Sequence, residues 1–248
     1  MRIKRKMLDA LLASRFYPHI YFFKVPFKTY EWYAMCRQVV FNDRDVILDV
    51  GSGLGIQTAL LARKSGKVVG IDPNENAVNV AKSEQDQLDP DGKIDFRCTT
   101  IEEAGFDDAM FDMVFSVCVL EHIPDYKRVL REAYRVLKPG GQLVFSVDSL
   151  ATIRDPKAKE RHRNRYAVCR YFEPDELKQD FEAAGFRNVV IQPIMKSDLA
   201  ARWFEKAIWK EFSYRYIEAW WKYQALRVVE FFARNRTEGI YLLVTAGK

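Results

Sequence analysis

No stretch of the chain reaches the run of about 18 apolar residues that a membrane-spanning helix needs, so the sequence predicts no transmembrane segment. Its start is basic (Arg2, Lys4, Arg5 and Lys6), but Arg15, Pro18, His19, Lys24 and Pro26 interrupt the apolar residues that follow. That pattern is a poor secretory leader and predicts a cytoplasmic protein. Cysteine is scarce and unpaired in spacing. Cys36, Cys98, Cys118 and Cys169 are dispersed, which argues against a disulfide framework or zinc cluster and predicts no metal. Cys98 and Cys118 fall in expected core strands and read as buried, reduced thiols. With only three histidines, His19, His122 and His162, candidates for a general base are few. No repeat, low-complexity tract or linker interrupts the 248 residues, which predict one domain.

The most informative feature present is Val46 to Gly55, VILDVGSGLG. A short apolar β-type run enters a turn with glycines at 51, 53 and 55, and 56–63 then reads as a helix with apolar positions 56, 60 and 61. Such a turn lets backbone amides approach a ligand without Cβ interference. Asp72 ends the next apolar run, where its carboxylate can accept ribose hydroxyls. The dinucleotide fingerprint needs a further glycine three positions on, and those positions hold Ile56 and Thr58. Asp49 also sets an acid beside the turn, which would repel pyrophosphate and suit a cation. S-adenosylmethionine, with its ammonium and sulfonium and no phosphate, fits this pattern.

Three further motifs follow in order: the apolar strand FDMVFS (111–116), VLEHIPD (119–125), and LREAYRVLKPGGQLVFSV (130–147), a helix, a Pro-Gly-Gly turn and a strand. With these, residues 40–190 and a final strand at 239–246 resemble the class I S-adenosylmethionine-dependent methyltransferases, in particular the group acting on small molecules. The resemblance implies an α/β Rossmann-like, doubly wound seven-stranded sheet with a reversed final hairpin and helices on both faces. Strands are expected at 46–50, 67–71, 93–98, 111–117, 141–147, 187–192 and 239–246, and helices near 55–65, 74–87, 125–137 and 173–184. Gly66 and Gly185 stand where helix C-caps are expected, and Pro174 and Asp175 suit a helix N-terminus. By the same resemblance, Asp49, Gly51, Gly53 and Gly55 shape the cofactor site, Asp72 binds the ribose, and Val117 and Cys118 lie against the methionine part. Where the family usually has an Asp for the adenine amino group, this chain has Thr100. The Ile101 backbone amide, with Thr100 or Glu102, is then expected to supply the contact.

His122 lies at the mouth of the implied site and is the candidate base. Arg161, Arg163 and Arg165, in a basic segment after the fifth strand, are candidates to clamp an anionic acceptor. Net charge is −6 over 49–150, while the outer parts are basic, consistent with a cationic cofactor and an anionic partner. Residues 7–41 are rich in aromatics and expected to be helical with breaks at Pro18 and Pro26, and by the resemblance the N-terminal segment 1–41 is expected to cap the 42–194 core and its cofactor. Residues 195–236 exceed the tight turn the family usually has before the last strand (237–248). This insertion carries eleven aromatics among nine Lys/Arg, and Phe204, Ile208 and Phe212 recur every four residues, so one helical stripe faces something apolar. It suits packing on the domain, packing on a second copy in a homodimer, or peripheral membrane contact. The expected acceptor is a small-molecule or lipid-linked metabolite, methylated at oxygen. An RNA methyltransferase, or a cofactor-binding protein without catalysis, are the alternatives. The region after the fourth strand, SVCVLEH, lacks the Asn/Asp-Pro-Pro-aromatic motif of base-amino methyltransferases, which makes nucleic acid a poor partner.

Overall fold

The computed structural model describes residues 24–85, 89 and 91–248. The expected helical start and break at Pro18, and the last residues of the 74–87 helix, lie outside them. Seven strands form one sheet: β1 (Val46–Val50), β2 (Lys67–Asp72), β3 (Ile94–Cys98), β4 (Phe111–Val117), β5 (Leu137–Asp148), β6 (Arg187–Ile194) and β7 (Tyr241–Gly247). Their order is β3-β2-β1-β4-β5-β7-β6. The first five run parallel, while β7 runs antiparallel to both β5 and β6, which is the expected reversed hairpin. Strand order turns back between β1 and β4, so their carboxyl ends open a crevice where ligands of such sheets bind.

The strands are apolar on both faces because both faces are covered. Ile47, Val68, Phe115 and Val144 enter one core, and their neighbours Leu48, Val69, Val114 and Phe145 enter the other. The first core is closed by α1 (Pro26–Cys36), α2 (Ile56–Ala62), α3 (Glu75–Ser83) and three helices described below; α4 (Tyr126–Val136) and α6 (Pro174–Ala183) cover the second. Pro26 opens α1 at its first turn, where a missing N–H costs nothing. Gly185 follows α6 with φ +108, as a helix stop requires. Gly66 is no such cap: it stands where a Cβ would meet the backbone of Asp43 and Arg44 at 2.9–3.1 Å. β5 starts four residues earlier than the sequence pattern indicates, with irregular pairing to β4 around Phe111 and Met113.

Two segments differ more. The basic stretch after β5 is a helix, α5 (Pro156–Tyr166), started by Pro156 and by Asp155, whose side chain accepts from the Lys157 N–H. The insertion forms α7 (Asp198–Trp209), capped by Ser197, and α8 (Tyr216–Phe232). Phe204 and Ile208 are buried as the four-residue stripe demands, and the Phe204 ring meets Phe27, Phe212 and Tyr241 edge-on. Packing covers only half of the insertion's four tryptophans. Trp203 and Trp220 are half-buried, whereas Trp209 and Trp221 are exposed, as are Ile217, Val228, Phe231 and Phe232 on α8. The thiols also depart from expectation. Cys98 is exposed at the end of β3, and Cys118 lies just past β4; all four cysteines are free. No described helix is long and apolar enough to cross a membrane.

Candidate active site

The turn after β1 is held from two sides. The N–H groups of Gly51 and Ser52 donate to the Ile71 carbonyl, at 2.8 and 2.9 Å. Gly51 has φ +79, and a Cβ there would lie 2.3 Å from Val119 Cγ2, so this position admits only glycine without displacing the loop after β4. The Gly53 N–H donates to Asp72 Oδ2 at 2.9 Å and the Asn74 N–H to Oδ1 at 2.8 Å. Asp72 thus ties the turn to the end of β2. It also borders a cavity of about 530 Å³ together with Gly51, Thr100, Ile101, Glu102 and Val117, a volume suited to a nucleoside-sized ligand. Asp49, Gly53 and Gly55, expected at the cofactor, do not line this cavity. Asp49 is buried and accepts the Thr58 hydroxyl at 2.6 Å, fastening α2 to β1. Burial pushes its carboxyl up to about 7, against the pull of the Thr58 hydrogen bond and with a small addition from the Asp72 charge.

A second cavity, about 370 Å³, opens beside the first, and Val117, Cys118 and His122 border both. Its walls come from distant parts of the chain: Lys28 of α1, Asp148 at the end of β5, His162 and Tyr166 of α5, Phe212 after α7, and Tyr241 of β7. The Lys28 ammonium lies 2.9 Å from Glu31 Oε2 and 3.0 Å from Cys118 Sγ. Cys118 Sγ in turn lies 3.0 Å from Glu31 Oε1 and 3.8 Å from Asp148 Oδ1. His162 sets Nδ1 3.2 Å from the Tyr171 hydroxyl and Nε2 3.7 Å from Asp148 Oδ2. Burial lowers Lys28, but Cys118, Glu31, Tyr241 and Asp148 together outweigh it and hold the ammonium well above its ordinary range. Burial pushes Asp148 up to about 7 and drives His162 down to about 4, leaving a neutral imidazole. Glu121 is wholly buried and neither carboxyl oxygen has a hydrogen-bond partner among the described residues. Burial first, then the Asp148 charge, raise it well above the carboxylate range. Donor atoms of Cys118, Glu121 and Asp148 lie within 4.8 Å of one another, and the cation against this group is the Lys28 ammonium.

His122 stands where expected, exposed on the edge common to both cavities, with Nδ1 3.5 Å from the Ala167 carbonyl. The three arginines do not line the second cavity. Because their segment is a helix, positions 162 and 166 turn inward and 161 and 165 outward. Arg161 donates to the Ile208 carbonyl and stacks on Trp209, Arg165 approaches Glu211, and Arg163 covers the Tyr171 ring. The sequence reading passed over Lys28, Glu31, Glu121, Asp148 and Tyr241. Asp148 carried a usable signal, an acid at the carboxyl end of a strand. Lys28 carried none.

A methyltransferase-domain family model matches residues 48–145. The chain is 33% identical over 168 residues to a ubiquinone biosynthesis O-methyltransferase of Hahella chejuensis, covering 60% of this chain and 68% of that protein. It is 32% identical over 158 residues to the protein of that name from Coxiella burnetii, covering 60% and 66%. The match thus spans about two thirds of these relatives' length. The solved structure of Haemonchus contortus phosphoethanolamine N-methyltransferase 2 with S-adenosyl-L-methionine superposes with a TM-score of 0.66 over 88% of this chain and 52% of that one, at 17% identity. That likeness shows the fold.

Proposed function

Because the chain belongs to the class I S-adenosylmethionine-dependent methyltransferases, we propose that it methylates a small-molecule or lipid-linked acceptor at oxygen. The observation that carries this reading is the meeting of the two cavities at Val117, Cys118 and His122. One cavity has the nucleoside-binding features, and the other has room for an acceptor. The O-methyltransferase names of the relatives support oxygen as the methylated atom. When bound, S-adenosylmethionine supplies an electrophilic methyl group. The protein's part is then alignment and exclusion of water, and alignment alone supplies on the order of 7–11 kcal/mol. Gly51 and Asp72 fix the nucleoside, Val117 and Cys118 wall the shared edge, and α1, α5 and the insertion close the acceptor side. His122 is our candidate to receive the acceptor's proton, a role contributing roughly 10²–10⁴-fold.

Incubation with methyl-labelled cofactor and fractionated metabolite and lipid extracts tests this reading, with label expected in one small-molecule or lipid fraction. His122→Asn should lower turnover and leave S-adenosylhomocysteine affinity alone. A protein that binds S-adenosylhomocysteine yet labels only RNA, or nothing, would contradict it.

We further place the protein in the cytoplasm, at the surface of an anionic membrane. The support is the exposed stripe Ile217, Trp221, Val228, Phe231 and Phe232 on α8, flanked by exposed Arg215, Arg227 and Arg234. It should sediment with phosphatidylglycerol vesicles and be released by high salt. Indifference to the vesicles would refute this placement.

A further inference from the structure

The charged groups of the second cavity are out of balance. Glu31, Glu121 and Asp148 are nearly or wholly buried around it, and among the described residues Lys28 is the one lysine or arginine on its wall. That ammonium is engaged by Glu31 at 2.9 Å. His162 is held neutral and cannot compensate, and the arginines of α5 face away. Glu121 is the independent sign of a missing partner: a wholly buried carboxyl on the cavity wall, neither oxygen of which is hydrogen-bonded by another of the described residues. Leaving a buried polar group of this kind without a partner is unfavourable, more so when it is charged, and a donor from a ligand would offset that. The remaining wall is aromatic, from Tyr166, Phe212 and Tyr241. Lys28 Nζ already lies 5.1 Å from the centre of the Tyr241 ring, so this wall accommodates an ammonium by charge and by ring face.

We propose that the second cavity recognises an acceptor bearing a protonated amine, held by Glu121 and Asp148 against the aromatic wall. The proposal rests on the reading of this cavity as the acceptor site, and it replaces the anionic acceptor expected from the basic segments. The amine is a recognition group beside the hydroxyl that faces His122. Burial, the first cause for each, raises both carboxyls above their ordinary range, and an entering cation favours their ionised forms. Amine binding therefore releases protons and tightens as pH rises through neutrality. Lys28, on the same wall, opposes the cation, but its charge is matched by Glu31. Tyr171 and Tyr241 stay neutral because burial, first among the causes, raises them. The Cys118 thiol is raised likewise.

The test is calorimetric titration of the S-adenosylhomocysteine-loaded protein with benzylamine, benzyl alcohol and benzoate, three probes of one ring and different charge. Benzylamine should bind at least about tenfold more tightly than benzoate, and buffers of different ionisation enthalpy should show proton release. Glu121→Gln and Asp148→Asn should each erase the preference while keeping S-adenosylhomocysteine affinity, which also reports that they fold. Should either variant fail to fold, the wild-type probe series decides alone. Benzoate binding as tightly as benzylamine, benzylamine failing to saturate at millimolar concentration, or a preference that survives in both folded variants would each overturn the proposal. Failure of the wild type to bind S-adenosylhomocysteine would instead overturn the methyltransferase reading on which it rests.

Discussion

Asp72 shapes a turn in this structure and on our proposal also binds the ribose, and the two roles can be separated. Its two oxygens accept the Gly53 and Asn74 N–H groups at 2.9 and 2.8 Å, so it shapes the turn; it also borders the larger cavity, where it would take the ribose hydroxyls. A hydrogen bond to a charged group contributes about 1.5–3 kcal/mol, and tenfold in affinity is about 1.4 kcal/mol. Asp72→Ala should therefore raise the S-adenosylhomocysteine dissociation constant by roughly ten- to a hundredfold. That number alone does not separate ribose contact from a slackened turn. Pairing the substitution with the 2′,3′-dideoxy analogue of the ligand does. If Asp72 binds the hydroxyls, losing both together should cost little more than losing either, a coupling of about 1.5–3 kcal/mol by calorimetry. Losses that simply add, within about 0.5 kcal/mol, in a variant with a cooperative thermal transition, would refute the ribose assignment and leave Asp72 as a tie for the turn.

Gly51→Ala should destabilise the fold by about 1–3 kcal/mol, because the new Cβ collides with Val119 in a backbone conformation that favours glycine. The denaturant midpoint reads this, and Val119→Ala in the same chain should restore part of the loss. Lys28→Met should cost roughly 3–5 kcal/mol by leaving the wholly buried Glu31 without its ammonium, and adding Glu31→Gln should recover most of it; a single variant as stable as wild type would mean the pair contributes nothing. Stability should also depend on Asp49 and pH. Its folded value of about 7 lies above the ordinary 3.8, so the folded state binds the proton more tightly than the unfolded chain does. The contribution is fully present below about pH 4 and lost as pH rises through about 7. His162, held down to about 4, works in the opposite sense, so the readout is a difference. Asp49→Asn should lose less stability than wild type between about pH 5 and 8, and parallel curves would count against a raised Asp49.

The candidate cofactor side was legible in part, through Gly51 and Asp72 on the cavity wall, because it is local. One strand, one turn and the end of the next strand supply Asp49, the three glycines and Asp72 within a short span, and each residue type has a backbone or hydrogen-bonding reason to be there. The acceptor side was not, because α1, α5, β5, β7 and the insertion each contribute one or two residues. Helix α5 shows the difficulty. Its sequence, PKAKERHRNRY, has almost no apolar periodicity, and only Ala158 and His162 are buried. The helix is set by its cap and by those two inward positions, and with the pattern unread the arginines took the place that His162 and Tyr166 occupy. The insertion was legible for its buried stripe and silent on its outer face, since an aromatic residue in a helix has the same spacing whether it meets a core or a membrane.

Cys118 joins the two halves of the site. It has φ +52, a left-handed conformation that costs a non-glycine residue on the order of 1–2 kcal/mol. The bend is secured by its own N–H, which donates to the Ser146 carbonyl at 2.9 Å. Its side chain meets Lys28 and Glu31 of α1, both at 3.0 Å. An extended residue here would continue β4 and carry the side chain away from this cluster. The strain is thus offset by contacts that fasten α1 over the acceptor cavity and set Val117, Cys118 and His122 on the edge common to both cavities. A glycine at 118 would relieve the backbone and free the cap, so Cys118→Gly should loosen acceptor-side binding. Hydrogen exchange should then quicken in α1 and remain slow in β1; equal protection of α1 in both proteins would show that the cap holds without the thiol.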